Sequence, residues 1–200
     1  MLLYCASTNP GKLREFRLAC DGSGISIDTL PNLPNIPAPE ETGDTFEANA
    51  IQKALYYSKH NPTLLFAEDS GLEVDALDGQ PGVFSARFAG PNASDDDNNR
   101  LVLERMQGVR ERAARFVAVI ALASSGNLLR VFRGTVEGQI LDTPRGSNGF
   151  GYDPLFYFPP FQCSFGQTSL ERKMQVSHRG RVLRAMLAYL RSGASIGSTR

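Results

Sequence analysis

Apolar residues along the chain recur at two spacings, and the elements follow from them. Leu2 to Ser7 is a short apolar run and predicts a buried strand. After Asn9-Pro10-Gly11, residues Leu13, Phe16 and Cys20 repeat at helical spacing. Asn9 suits the N-cap and Pro10 the first helical position, and Gly22 and Gly24 stop the helix. Ile25 to Leu30 alternates as a second strand. Four prolines make Pro31 to Glu41 an extended loop. Asp44-Thr-Phe-Glu47 resembles a capping box and opens a helix through Ala50, Ile51, Ala54 and Leu55 to about His60, where Asn61-Pro62 ends it. Leu64 to Glu68 predicts a buried strand, and Leu72 to Leu77 an extended arm.

Gly79 to Asn92 reads as loop. Ser94 caps a helix whose first turn holds Asp95, Asp96 and Asp97, acids that offset the positive end of the helix dipole. Phe116 to Ala123 and Leu128 to Leu141 are strand-like runs joined by Ser-Ser-Gly-Asn, a hairpin signal. Pro144 to Pro160 is a loop rich in glycine and aromatics with a short strand inside. Ser177 caps a last helix with Val182, Leu183, Met186, Leu187 and Leu190 on one face. These elements predict an α/β fold with a mixed central sheet flanked by helices. One domain over residues 1–192 and a frayed polar tail at 193–200 complete the expected layout.

Composition narrows the function classes. Lys plus Arg is 21 and Asp plus Glu is 21, so the zero net charge argues against a general nucleic-acid binder. No apolar run approaches the ~20 residues that cross a membrane. Three well-separated cysteines in no metal-ligand spacing fit a reducing compartment, hence the cytoplasm. Only four basic residues are lysine (Lys12, Lys53, Lys59 and Lys173) in a chain that otherwise uses arginine, which marks positions where a compact point charge is wanted.

Five segments carry candidate chemistry. Ser7-Thr8-Asn9-Pro10-Gly11-Lys12 lies between a strand and a helix, where free amides and the helix dipole favour an anion; Gly11 admits close backbone approach. Glu68-Asp69-Ser70-Gly71 follows a buried run, with the two acids on opposite faces of an extended chain. Glu40-Glu41 precedes a helix, and a Glu there can share a divalent ion with Asp69; two acids from separate loops, with lysines nearby, suit a Mg²⁺–polyphosphate site better than a closed metal cage. Gly149-Phe150-Gly151-Tyr152-Asp153 offers an aromatic face to a nucleobase. Ser177-His178-Arg179, with Lys173 just before it, reads as a donor cluster for carbonyl or phosphate oxygen. Each has a plainer reading as a turn, a solvated acid or a core aromatic.

Together and in this order, these segments resemble the inosine triphosphate / xanthosine triphosphate pyrophosphatase family, most closely its bacterial members. Ser7 to Phe16, Glu40 to Ala50, Ala67 to Asp75, Pro81 to Arg87, Gly149 to Pro154 and Ser177 to Gly180 carry the likeness. The resemblance implies an elongated sheet, a cleft between two lobes and a homodimer. It implies Mg²⁺-dependent hydrolysis of ITP, dITP and XTP to monophosphate and pyrophosphate, which cleanses the nucleotide pool. By position, Ser7 to Lys12 match the phosphate loop, and Glu40 and Asp69 the metal ligands, with Asp69 also the proton acceptor. Lys53, Ser70, Phe150 to Asp153, Lys173, His178 and Arg179 match substrate contacts. Glu68 stands where many members have a second Asp, which leaves open whether Glu68 or Glu41 also meets the ion. Two other readings share parts of this pattern: a pyrophosphatase for modified pyrimidines or dTTP/UTP, and a nucleotide sensor without turnover.

Overall fold

A computed structural model describes residues 1–193, so residues 194–200 of the expected tail lie outside the described residues. Seven strands form one mixed sheet. They are β1 (Leu2–Cys5), β2 (Ser26–Thr29), β3 (Leu65–Val74), β4 (Ala113–Ser124), β5 (Asn127–Ile140), β6 (Phe156–Phe158) and β7 (Cys163–Ser164). Their order is β2-β1-β3-β4-β5-β6-β7. β1 runs parallel to β2 and β3, and every later pairing is antiparallel. Helices α1 (Pro10–Ala19), α2 (Phe46–His60), α3 (Asp95–Arg105), α4 (Leu170–Val176) and α5 (His178–Arg191) complete the fold.

The long hairpin of β4 and β5 turns on Ser125 and Gly126, both at positive φ, as a two-residue hairpin turn with matching strand twist requires. β3 is one strand of ten residues, so the expected strand and the expected arm after it are a single element. Glu68 to Gly71 therefore lie within the strand rather than beyond its end. The helix expected from Asp44 starts one residue later, with Thr45 as its cap. The loop before α3 contains a 3₁₀ turn, Gly82–Arg87. α4, two turns long, is too short to show a periodicity in sequence.

Side-chain alternation along β3 positions the site. On one face, Phe66 joins a core with Leu3, Phe16, Ile120 and Leu183, while Leu72 and Val74 join a second core with Phe116, Phe156 and Phe165. Glu68 and Ser70 fall between these two cores on the same face. On the other face, Ala67 packs with Val117, Val119 and α2 residues Phe46, Ala50 and Ala54, and Asp69 is the next residue on that side. β1 pairs with β3 only at Leu65 and Phe66. From Ala67 to Ser70 the β1-side edge of β3 has no neighbouring strand; farther on, Leu72 N donates to Ser85 Oγ and Glu73 bridges Pro81.

Candidate active site

The corner after β1 is built as its sequence suggests. Asn9 caps α1, its Oδ1 accepting from Lys12 N at 3.0 Å, and Pro10 occupies the first turn. Ser7 Oγ accepts from Asn9 N at 3.3 Å, while Thr8 is exposed. Lys12 then turns toward β3, its Nζ 2.6 Å from Glu68 Oε2.

On this face of β3 three acids meet three cations. Glu68 also accepts from Arg179 Nε at 3.1 Å. Glu15 bridges Lys173 Nζ at 2.8 Å and Arg179 Nη1, and Lys173 also pairs with Asp153. Arg179 Nη2 donates to Ser70 Oγ at 2.8 Å. Burial alone would raise the Glu68 and Glu15 carboxyls, but Lys12 and Arg179 for the first, and Arg179 and Lys173 for the second, hold both below the usual range. Asp153 goes the other way: burial pushes it up more than Lys173 pulls it down. A cavity lies against this network, lined by Asn9, Lys12, Ser70, Phe150, His178 and Arg179 among others.

The opposite face carries a smaller cluster. Lys53 Nζ sits 2.9 Å from Asp69 Oδ1 and 3.1 Å from Glu41 Oε1. Asn49 Nδ2 donates to Asp69 Oδ2 at 3.2 Å, and its Oδ1 accepts from Gly43 N at 2.9 Å. One side chain thus ties Asp69 to the loop that bears Glu41. Burial raises the Asp69 carboxyl despite Lys53 and Lys12 nearby. The charge of Lys12 is thereby felt at Asp69 as well as at Glu68, across the open edge. Lys53 is raised because Asp69 and Glu41 outweigh its burial.

The aromatic loop is gripped from several sides. Phe150 N donates to Asp153 Oδ2 at 3.0 Å. Gly151 N donates to Asp95 Oδ2 at 2.6 Å, and Gly151 O accepts from Asn99 Nδ2 at 3.0 Å. Tyr152 is buried, and its hydroxyl donates to Ser85 O at 2.7 Å, fixing the 3₁₀ turn opposite. The Phe150 ring has Lys173 Nζ at 5.2 Å and Arg179 Cζ at 5.3 Å from its centroid. His178 is buried, stacked on Phe116 at 4.7 Å, with no partner for Nδ1. Burial, then Arg179 and Lys173, push its pKa well below the ordinary value, so the imidazole is neutral near pH 7.

The comparisons with known proteins decide the family. The Ham1 family model matches residues 3–189. The chain belongs to the Ham1 family. It is 48% identical over 199 residues to a dITP/XTP pyrophosphatase of Acidobacterium capsulatum, covering 95% of this chain and 98% of that one. A dITP/XTP pyrophosphatase of Exiguobacterium is 48% identical over 189 residues, 94% of this chain and 96% of its own. The Staphylococcus aureus Ham1 protein superposes with a TM-score of 0.85 at 40% identity, over 96% of this chain and 99% of that chain. A HAM1 protein from Coxiella burnetii gives 0.87 at 37% identity, over 96% and 100%. The α/β fold with a mixed sheet, expected from the pattern, is the Ham1 fold.

Within this frame, the acid beside Asp69 is Glu41. Glu40 is exposed, and its carbonyl accepts from Gln52 Nε2 at 2.8 Å. The donor set suits a divalent cation. Two carboxylates already converge on one positive centre, the Lys53 ammonium, at the open edge of β3, and Mg²⁺ typically takes one or two carboxylates with water and phosphate oxygens. Four residues of the arrangement escaped the sequence reading: Glu15, Asn49, Asp95 and Asn99. One was legible: Asn49 falls on the α2 stripe with Phe46, Ala50 and Lys53, whereas Glu15 points away from the α1 stripe of Leu13, Phe16 and Cys20. A polar residue on a buried stripe needs a partner. Asp95 instead looked like a dipole acid, and nothing in the sequence linked it or Asn99 to Gly151.

Proposed function

We propose that this chain hydrolyses the non-standard purine triphosphates ITP, dITP and XTP to the monophosphate and pyrophosphate, with Mg²⁺. The observation that carries this reading is the open edge of β3, with a base-sized cavity and the Lys12 corner on one side and Asp69 on the other. A polyphosphate laid across that edge meets Lys12 and the first-turn amides of α1 on one side and Lys53 on the other. The purine then enters the cavity beside Phe150. Mg²⁺, held by Asp69 with Glu41 or Glu40, would neutralise phosphate charge and lower the pKa of a bound water.

In this mechanism water attacks the α-phosphorus in line. Its oxygen bonds to phosphorus as the bond to the β-phosphate oxygen breaks, and pyrophosphate leaves. Asp69 takes the water's proton. Its raised proton affinity suits that task, since a general base works best with a pKa closer to the operating pH. Lys12 and Lys53 take up the charge that develops. Ser70, oriented by Arg179, lies between the cores at the cavity wall.

Selection follows from purine position 6. Arg179 has five N–H donors and commits three to Glu68, Glu15 and Ser70, leaving others for a carbonyl oxygen. An adenine amino group would set donor against donor and leave buried groups unpaired, a mismatch that can reach ~10⁴-fold. The same reading includes one two-lobed domain over residues 1–192, a homodimer and a cytoplasmic enzyme. Among the described residues no helix is long and apolar enough to cross a membrane. The test is a triphosphate panel scored for pyrophosphate release with and without Mg²⁺. Preference for dITP, ITP and XTP supports the reading. Preference for dTTP or UTP, or tight binding without release, overturns it.

A further inference from the structure

Gly11 has no conformational reason to be glycine. It sits in the first turn of α1 with φ outside the left-handed region. Alanine is a far better helix former at such a position. What Gly11 supplies is space. A Cβ there would lie 2.5 Å from Cδ1, 2.7 Å from Cε1 and 2.9 Å from Cγ of Phe150, closer than packed carbons approach. The glycine expected to admit a phosphate is therefore covered by an aromatic ring.

The ring has little room to retreat. Lys173 and Arg179, both near its face, are buried and fixed by Glu15, Asp153 and Glu68. The backbone that carries the ring is pinned as well: Asp153 holds the Phe150 amide, and Asp95 and Asn99 hold the next peptide. Phe150 lines two cavities, one with Ser70 and His178 and one with Asn99 and Pro154; Asn99 holds the loop at the second, which leaves the first to a displaced ring.

We propose that Gly11 is a specificity-determining position: the absence of a side chain there seats the Phe150 ring and so sets the width of the base slot. A methyl group at residue 11 drives the ring into that slot while leaving the phosphate contacts in place. The inference rests on the reading of Phe150 as the surface on which the base stacks.

Gly11→Ala, Phe150→Leu and the double variant test it, by pyrophosphate release from dITP and by inhibition with IMP and with inorganic pyrophosphate. Gly11→Ala is expected to raise KM for dITP and Ki for IMP about tenfold, while Ki for pyrophosphate stays within about twofold. In the double variant the two penalties should not multiply, because the smaller side chain introduced by Phe150→Leu leaves room for the methyl and the two sites are in contact. A matching rise in the pyrophosphate Ki overturns the inference, since Gly11 would then serve the phosphates. Penalties that multiply, with Phe150→Leu impaired alone, overturn the inference but not the base-stacking reading. Unchanged kinetics in Phe150→Leu overturn that reading and the inference with it. If Gly11→Ala does not fold, a folded double variant supports the proposal and an unfolded one overturns it.

Discussion

The two faces of β3 carry adjacent acids, Glu68 and Asp69, in opposite electrostatic settings. Glu68 belongs to a buried set of three acids and three cations whose charges balance, and it is held ionised. Asp69 faces one ammonium that it shares with Glu41, and its proton affinity is raised. One residue of offset along a strand therefore separates an acid held ionised from one whose proton affinity is raised. Glu68 contacts both Lys12 and Arg179, whereas Asp69 contacts Lys53 alone, with Lys12 acting from farther off and Glu41 opposing. Burial raises both, and only at Glu68 do the neighbours more than compensate.

The largest effect should fall on the reactive side. Asp69→Asn keeps size and shape but removes the group that the proposed mechanism uses as proton acceptor and metal ligand. Turnover of dITP is expected to fall by about 10²–10⁴-fold, as for loss of a general base. The circular dichroism spectrum and urea midpoint should stay near those of the parent. Should Asp69→Asn retain near-parental turnover while Glu68→Gln loses it, the roles of the two faces are exchanged.

The scaffold side should fail through stability instead. Glu15→Ala leaves Lys173 and Arg179 each short of a carboxylate in a buried setting. Removing one partner of a buried ion pair costs about 3–5 kcal/mol, because the other charge stays behind uncompensated. Urea unfolding reads this directly. A loss below about 1 kcal/mol, the range of an exposed pair, would show that the network is solvated and the contrast between faces overstated.

How much of this arrangement could be seen in the sequence follows from the same contrast. The reactive side was largely legible, because Asp69 and Lys53 sit in motifs and α2 announces itself by its cap and its apolar stripe. The alternation rule also put Glu68 and Asp69 on opposite faces. It did not foresee that β3 continues past them, because Ser70 and Gly71 interrupt the apolar pattern where the strand crosses from one core to the other. The scaffold side stayed hidden for a different reason. Glu15, Lys173 and Arg179 come from α1, α4 and α5, up to 164 residues apart, and only tertiary packing brings them together. Lys173 and Arg179 stood out by motif and resemblance as substrate contacts, not as the partners of Glu15.

Asn49 sharpens the comparison at intermediate size. It ties Asp69 to Gly43 and so to the loop carrying Glu40 and Glu41. Asn49→Ala removes a hydrogen bond to a charged group, a loss of about 1.5–3 kcal/mol. The expected readout is a fall in kcat/KM for dITP together with weaker binding of Mn²⁺, followed by electron paramagnetic resonance without substrate. Unaltered Mn²⁺ affinity alongside the lost activity would detach the loop from metal binding.

The smallest effect is a dependence on pH. Glu15 has a folded pKa below its unfolded value, so its contribution to stability is complete above the unfolded carboxylate range and is lost as pH falls through the folded value. Asp153, paired with the same Lys173, has the opposite sign: its raised pKa makes its ionised form a cost that protonation relieves on acidification. The two changes oppose each other within one network, so acid should weaken the scaffold less than its number of ion pairs suggests. Glu15→Gln isolates one side of this balance. The stability gap between parent and variant, from urea unfolding, should be widest near pH 7 and narrow as pH drops below about 4, where the unfolded chain's carboxylates bind protons. A gap that widens on acidification would mean that Glu15 is not held ionised by Arg179 and Lys173, and the division between a clamped face and a reactive face would lose its physical basis.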